Sequence, residues 1–333
     1  MGYKKLLIIF SILVVNTFYV NSRERGPKLS ISGIDTLLTS QNTTNIDTSF
    51  SIEWNEDSAR WKVGSRTVKY FADDDELKAV LEQKQSKKGD WDNVSRVLYS
   101  YNSRGKKVEE LKQLWDSKES KWINKKLNNL YYDSDNNLSN IYVYNWNRRS
   151  ENWNKYLYLV VKYNRGRKKE IITRIYPNEI DKWTKYEKIV YHYRSESANP
   201  YQSIIWQWDQ NNKEWEKNGR YYLTYSTSGN LISKTLSTWN KLRKNWSKNK
   251  KYFYSWEGDK KTLEIKQIRD IEEGKWINKS KLVQEYDDKG KLKLKKQYKW
   301  DSSTQEWYLH QRSIYSPIFQ NLEKQKVDSI YTD

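Results

Sequence analysis

Between Lys291 and Trp300 the chain alternates. Leu292, Leu294, Lys296, Tyr298 and Trp300 fall on one side of an extended strand, and Lys291, Lys293, Lys295, Gln297 and Lys299 on the other. A period of two marks a strand with one half-buried face. Leu138–Trp146 follows the same rule less strictly. Leu138, Tyr142, Tyr144 and Trp146 share a face while Ile141 and Val143 sit opposite, so some strands are expected to be covered on both sides.

The alternating runs are punctuated by a frame of two Trp seven positions apart. It occurs at Trp54/Trp61, Trp115/Trp122, Trp146/Trp153, Trp208/Trp215, Trp239/Trp246 and Trp300/Trp307. Three copies keep only the second Trp: Lys84/Trp91, Tyr176/Trp183 and Arg269/Trp276. Successive first positions are 30 to 32 residues apart, and a fixed period of this size signals a repeat architecture. If the residue after the first Trp pairs with the residue before the second, four residues remain for a hairpin loop, a common length. The two indoles then lie directly opposite one another, where aromatic pairs contribute roughly 0.2–1 kcal/mol. Asn55, Asp116, Asn147, Asp209, Asn240, Asp270 and Asp301 follow the first position. Such side chains hydrogen-bond their own backbone two residues on and initiate turns.

A second turn closes each unit. It is clearest in Tyr225–Leu231 and Tyr286–Leu292, with Gly229 and Gly290 inside, and is repeated in Tyr101–Gly105 and Tyr254–Gly258. Tyr132–Leu138 carries Asn136 where the others carry Gly; both residues tolerate positive φ. Each unit therefore reads strand, turn, strand, turn, with about eleven residues per strand against the usual five or six. The expected fold is all-β: nine ~31-residue β-hairpin repeats in an elongated, twisted antiparallel meander or superhelical sheet. Laid flat, some 18 strands would run on the order of 85 Å, and right-handed twist must coil them. A membrane-embedded barrel is the rival architecture. Strand length and aromatic content suit it, but neither face reads as consistently apolar, and a Lys at mid-bilayer costs roughly 2–4 kcal/mol.

Residues 1–22 read as a cleaved secretory signal: Lys4 and Lys5, an apolar run from Leu6 to Val15, then Val20-Asn21-Ser22. Residues 23–50 form a polar linker, 51–316 the hairpin-repeat domain and 317–333 a polar tail. No second stretch is long and apolar enough for a spanning helix, so no transmembrane helix is expected once the signal is cleaved. The chain has no Cys, which excludes a disulfide framework and a lipidated-Cys anchor. Cohesion must come from sheet pairing and aromatic packing.

The chain is basic, with 61 Lys+Arg against 42 Asp+Glu. Such a field favours polyanions, and acidic polysaccharide or an envelope polymer is the partner class it suggests. No compact basic block marks a nucleic-acid arm. Catalytic material is sparse. The only histidines, His192 and His310, are far apart in sequence. Asp209/Glu214 and Asp301/Glu306 have the look of a glycosidase pair, but they recur at a turn position and become Asn147/Asn152 and Asn240/Asn245, which reads as turn chemistry. Asp73-Asp74-Asp75-Glu76 offers oxygen ligands for calcium, yet stands where other units turn. No cofactor fingerprint and no zinc set is present, so no cofactor, metal site or catalytic residue is expected. Aromatics make up 15% of residues and read mainly as packing of a sheet face. Trp206 and Trp256 alone stand off the Trp lattice. Trp256, inside the Gly258 turn, is the one residue nominated as an exposed ligand contact.

The Trp-Asp-(x)5-Trp frames at 115–122 and 300–307, with the Tyr-Asp-x-x-Gly-x-Leu turn at 286–292, resemble the Trp/Tyr-rich β-hairpin repeats of proteins exported by Gram-negative bacteria of the Bacteroidetes type. The resemblance covers most of 51–316 and implies an exported location rather than an activity. The same turn is similar to the tyrosine-aspartate repeats of large bacterial surface and toxin-shell proteins, which have a shorter period and lack the paired Trp. The expectation is an exported, non-enzymatic repeat protein, secreted, periplasmic or on the cell surface, serving as a scaffold or adhesive surface of the cell envelope. Its alternatives are a binding module for acidic glycan or envelope polymer and an outer-membrane β-barrel.

Overall fold

The computed structural model describes residues 45–55, 60–72, 76–177, 181–195, 197–270, 272–288 and 290–315. Eighteen strands of 9 to 13 residues follow one another. They are β1 (Asn45–Asn55), β2 (Arg60–Phe71), β3 (Leu77–Gln85), β4 (Trp91–Tyr101), β5 (Lys107–Asp116), β6 (Lys121–Tyr132), β7 (Leu138–Asn147), β8 (Asn152–Asn164) and β9 (Arg167–Ile175). The second half holds β10 (Thr184–Tyr193), β11 (Pro200–Asp209), β12 (Glu214–Tyr225), β13 (Leu231–Asn240), β14 (Asn245–Glu257), β15 (Lys260–Arg269), β16 (Trp276–Tyr286), β17 (Leu292–Asp301) and β18 (Glu306–Tyr315). The signal, most of the linker and the tail assigned from sequence lie outside the described residues. β1 begins at Asn45, so the hairpin domain starts a few residues before the boundary at 51.

Each strand pairs antiparallel with the strands before and after it in sequence, and β1 also pairs with β18, from Ser49↔Tyr315 to Glu53↔Gln311. The meander is thus a closed ring, an 18-stranded β-barrel. This corrects the expected open, elongated or superhelical sheet. The physical reason lies in the bulges. One strand residue is left unpaired near every Trp turn: Gly64, Val94, Lys125, Tyr156, Tyr186, Asn218, Asn249, Lys279 and His310. Another set recurs near the second turns, as at Val108, Ser139 and Ile232. A bulge bends its strand and increases local twist. Summed over the ring, this coiling brings the two outermost strands together, and their pairing removes the exposed edges that an open sheet would leave.

The Trp frame folds as its spacing implies. Trp115↔Trp122, Trp146↔Trp153, Trp208↔Trp215, Trp239↔Trp246 and Trp300↔Trp307 are direct cross-strand partners. Their rings meet edge to face at centroid distances of 4.9–5.1 Å. Tyr176 and Trp183 keep the same geometry at 5.0 Å. In another degenerate copy Arg269 lies 5.5 Å over Trp276. The third shifts by one residue: Trp91 faces Gln85 rather than Lys84, because its loop is a residue longer.

The turn reading of the Asp and Asn positions holds in detail. Asp116 Oδ1 accepts from the backbone N–H of Lys118 and Glu119, Asp209 Oδ1 from Asn211 and Asn212, and Asp301 Oδ1 from Ser303. The last loop residue is left-handed at Ser120, Glu151, Lys213, Lys244 and Gln305, a conformation non-Gly residues adopt rarely. At the other end of the unit Asn136, at φ 68°, takes the place of Gly105 and Gly229.

Candidate functional site

Register and alternation sort the side chains onto two faces. The Trp pairs share a face with Leu98, Leu111 and Ala79, which pack together with Trp153. Val143, Leu157, Leu159, Val161 and Ile171 form a cluster on the opposite face, joined by Tyr163 and Tyr191. The barrel wall is therefore packed on both sides in the β7–β10 sector, as the mixed alternation of Leu138–Trp146 suggested.

On the Trp face five indoles meet a cation in the same way. In these the residue five positions after the second Trp of one unit lies over the second Trp of the next. Arg66 is 4.5 Å from the Trp91 ring, Arg96 4.6 Å from Trp122, Lys188 4.9 Å from Trp215, Arg220 4.7 Å from Trp246 and Lys281 5.1 Å from Trp307. A cation over an indole face is attracted by the ring quadrupole. In two units a hydrogen-bonded relay continues sideways. Arg66 Nε donates to Gln83 Oε1 at 2.7 Å and Gln83 Nε2 to Asn93 Oδ1 at 2.9 Å. Arg96 Nε donates to Gln113 Oε1 at 2.6 Å and Gln113 Nε2 to Asn124 Oδ1 at 2.8 Å. Arg96 is only 2% exposed, so it serves the wall and is closed to a ligand.

The position that carries Asn93, Asn124 and Asn278 changes character over a continuous sector. There it is Lys155, Lys185, Lys217 and Lys248, all exposed. Lys155 lies 4.7 Å from the Tyr176 ring, Lys185 4.0 Å from Trp208 and Lys217 4.8 Å from Trp239. This is an exposed row of four ammonium groups, three of them beside aromatic rings. Sequence reading registered the overall basic charge but not this row, although its residues stand two positions after Trp153, Trp183, Trp215 and Trp246 and share their face by simple alternation.

Trp256 is not a residue outside the repeat. It belongs to a second lattice at the other turn, and it is half-buried rather than exposed. There Tyr101, Tyr132, Tyr163, Tyr193 and Tyr286 donate their hydroxyls to Leu77 O, Lys107 O, Leu138 O, Lys168 O and Lys261 O at 2.7–3.2 Å. Trp256 Nε1 donates to Leu231 O at 2.8 Å in the same way. The repeat equivalent of Tyr101 is thus Trp256, not Tyr254. Trp206 likewise stands on the Trp face opposite Lys217, where other units carry Gln83 or Gln113. Trp256 also lines a groove of about 450 Å³ with Ser226, Ser228, Asn230, Tyr254 and Asp259.

The remaining candidates are not assembled into a reactive site. His192 is in β10 and His310 is the bulge of β18, and neither strand neighbours the other. Asp209 and Glu214 face each other at the mouth of a turn, with Asp209 engaged by loop N–H groups. At the neighbouring turns Arg148 bridges Asp116 at 2.5 Å and Glu119 at 2.9 Å. The N–H of Glu119, then Arg148, hold the Asp116 carboxyl below the usual carboxylate range. Asp73, Asp74 and Asp75 lie outside the described residues. Among the described residues no group of three or more His, Asp or Glu is gathered as a metal ion would require. No helix among them is long and apolar enough to cross a membrane, which says nothing of strands.

No protein-family model and no curated protein matches the chain. Among solved structures it is similar to a porin-like protein from Bacteroides uniformis, with a TM-score of 0.39 and 7% identity over 82% of this chain and 98% of that one. A porin-like protein from Bacteroides vulgatus matches with a TM-score of 0.37 and 10% identity over 68% and 93%. A protein of unknown function from Bacteroides fragilis matches with a TM-score of 0.35 and 19% identity over 40% and 95%.

Proposed function

We propose that this chain is an exported, non-enzymatic β-barrel of the cell envelope, of the outer-membrane type. Closure carries the reading. An adhesive or scaffolding sheet gains from long free edges, whereas a structure in hydrocarbon must satisfy every backbone N–H and C=O internally, which strands achieve only as a closed ring. The even number of antiparallel strands and their length fit the same architecture. The cations on the Trp face set the demand on this reading, since an unpartnered Lys or Arg at mid-bilayer costs about 2–4 kcal/mol. Arg66 and Arg96 meet that demand by ring stacking and hydrogen bonding to Gln83 and Gln113. Expressed as the full chain in a Gram-negative host, the protein is expected to sediment with the outer membrane, to resist carbonate extraction and to migrate anomalously on electrophoresis until heated. Recovery in the soluble periplasmic fraction overturns the reading.

The exposed row Lys155, Lys185, Lys217 and Lys248 favours a second reading, a binding face for acidic glycan or envelope polymer. It is tested by retention on immobilised polygalacturonate at low salt. Replacing the four lysines with Gln is expected to abolish the salt-dependent part of retention. Passage of the unaltered protein straight through the column removes this reading and leaves the barrel unaffected.

A further inference from the structure

We infer that the groove beside Trp256 is a saccharide subsite that takes a pyranose ring. The inference does not rest on membrane insertion, because the groove lies at a turn end of the barrel. Its starting point is a change of residue at a position where five other units carry an anchoring Tyr. Tyr101, Tyr132, Tyr163, Tyr193 and Tyr286 each fasten a strand end to a neighbouring carbonyl. Trp256 makes the same bond through its indole N–H. The fastening therefore does not explain the larger ring. What the indole adds is apolar surface, and that surface lines the groove.

The other walls suit a sugar. The five-residue turn after β12 supplies the hydroxyls of Ser226 and Ser228 and the amide of Asn230, and the two-residue turn after β14 supplies the Asp259 carboxylate. A pyranose has C–H faces that stack on an aromatic ring and equatorial hydroxyls that exchange hydrogen bonds with such groups. The groove is held open in advance. Asn230 Nδ2 donates to Gly258 O at 2.7 Å and ties the two turns together, while Asn230 N donates to Ser226 Oγ at 3.1 Å. Preformed walls lower the ordering cost of binding. The volume of about 450 Å³ is within the range of small-ligand sites and accommodates one or two rings.

The test is saturation-transfer NMR on the full chain with methyl pyranosides of glucose, galactose, mannose, N-acetylglucosamine and galacturonic acid, with dissociation constants taken by titration of any that respond. At least one probe is expected to receive saturation. Trp256→Ala should weaken it at least about tenfold, the factor that corresponds to ~1.4 kcal/mol of lost contact. Trp256→Tyr restores the residue of the other units and preserves the carbonyl anchor, so it should fold as the unaltered chain does and bind with intermediate strength. Asp259→Ala removes a hydrogen-bonding wall without touching the lattice and should also weaken binding. Silence from all five probes overturns the inference. So does a response that Trp256→Tyr and Asp259→Ala both leave unchanged.

Discussion

Removing the Arg96 side chain should expose how the barrel wall handles a buried charge. Arg96 is 2% exposed, stacks 4.6 Å from the Trp122 ring and donates to Gln113 Oε1. Arg96→Leu installs the residue that stands at the equivalent position one unit later, Leu127, so the backbone and the space are suited to it. The substitution forfeits a cation–π contact of about 0.5–2 kcal/mol. It also leaves Gln113 Oε1 short of a donor in a buried site, at about 1–3 kcal/mol. Against this, a guanidinium no longer has to be buried, and a Leu side chain gains about 1.5–3 kcal/mol of burial. On these magnitudes losses of about 1.5–5 kcal/mol meet a gain of about 1.5–3 kcal/mol and the desolvation relief, so the net change should stay within about 2 kcal/mol of zero. Gln113→Leu removes one acceptor and keeps the buried charge, so it should cost about 1–3 kcal/mol. The double variant abolishes both partners and should fall well short of the sum, with a coupling of about 1–3 kcal/mol. Guanidinium unfolding followed by Trp fluorescence reads all four corners of the cycle. Additivity within about 0.5 kcal/mol would refute the claim that the two side chains act as one unit.

Other outcomes follow from the same wall. Arg220 holds the position of Arg96 one sector on, but it faces Ser237, and Arg220 Nε and Ser237 Oγ both lack a partner; Arg220→Leu should therefore destabilise less than Arg96→Leu in the same unfolding assay. Deleting residues 45–55 removes β1 and leaves the edges of β2 and β18 open, so size-exclusion chromatography should show association in place of a monomer-sized barrel, and an unchanged profile would speak against closure as a stabilising element. The carboxyls of Asp116, Asp209 and Asp301 are held below the usual value of 3.8, chiefly by hydrogen bonds from their own loops. Their contribution is full above that value and is lost as pH falls through the depressed folded values. Changing all three to Asn, as nature does at Asn147 and Asn240, preserves the turns and should flatten the acid limb of a stability-versus-pH curve below about 3.8.

The unit was legible in the linear chain and the assembly was not. Spacing and residue type were enough for the hairpin register, the loop length and the turn role of Asp116 or Asn147, because these depend on contacts within a few residues. Alternation also placed Leu292, Leu294, Tyr298 and Trp300 on one side of a strand. Closure could not be read this way. It depends on twist accumulated over every pairing and ends in a contact such as Gln311 Nε2 donating to Ser51 Oγ, 260 residues apart. The bulges carry residues as different as Gly64, Tyr156 and His310, so no residue type announces them. Yet they set the phase that brings Arg96 over Trp122. Trp256 stands off the Trp frame in the sequence, but its half-burial, its carbonyl anchor and its groove are properties of neighbouring hairpins. Local chemistry determined what each rung is; only the closed sheet decided which rungs share a face and which of them a ligand can reach.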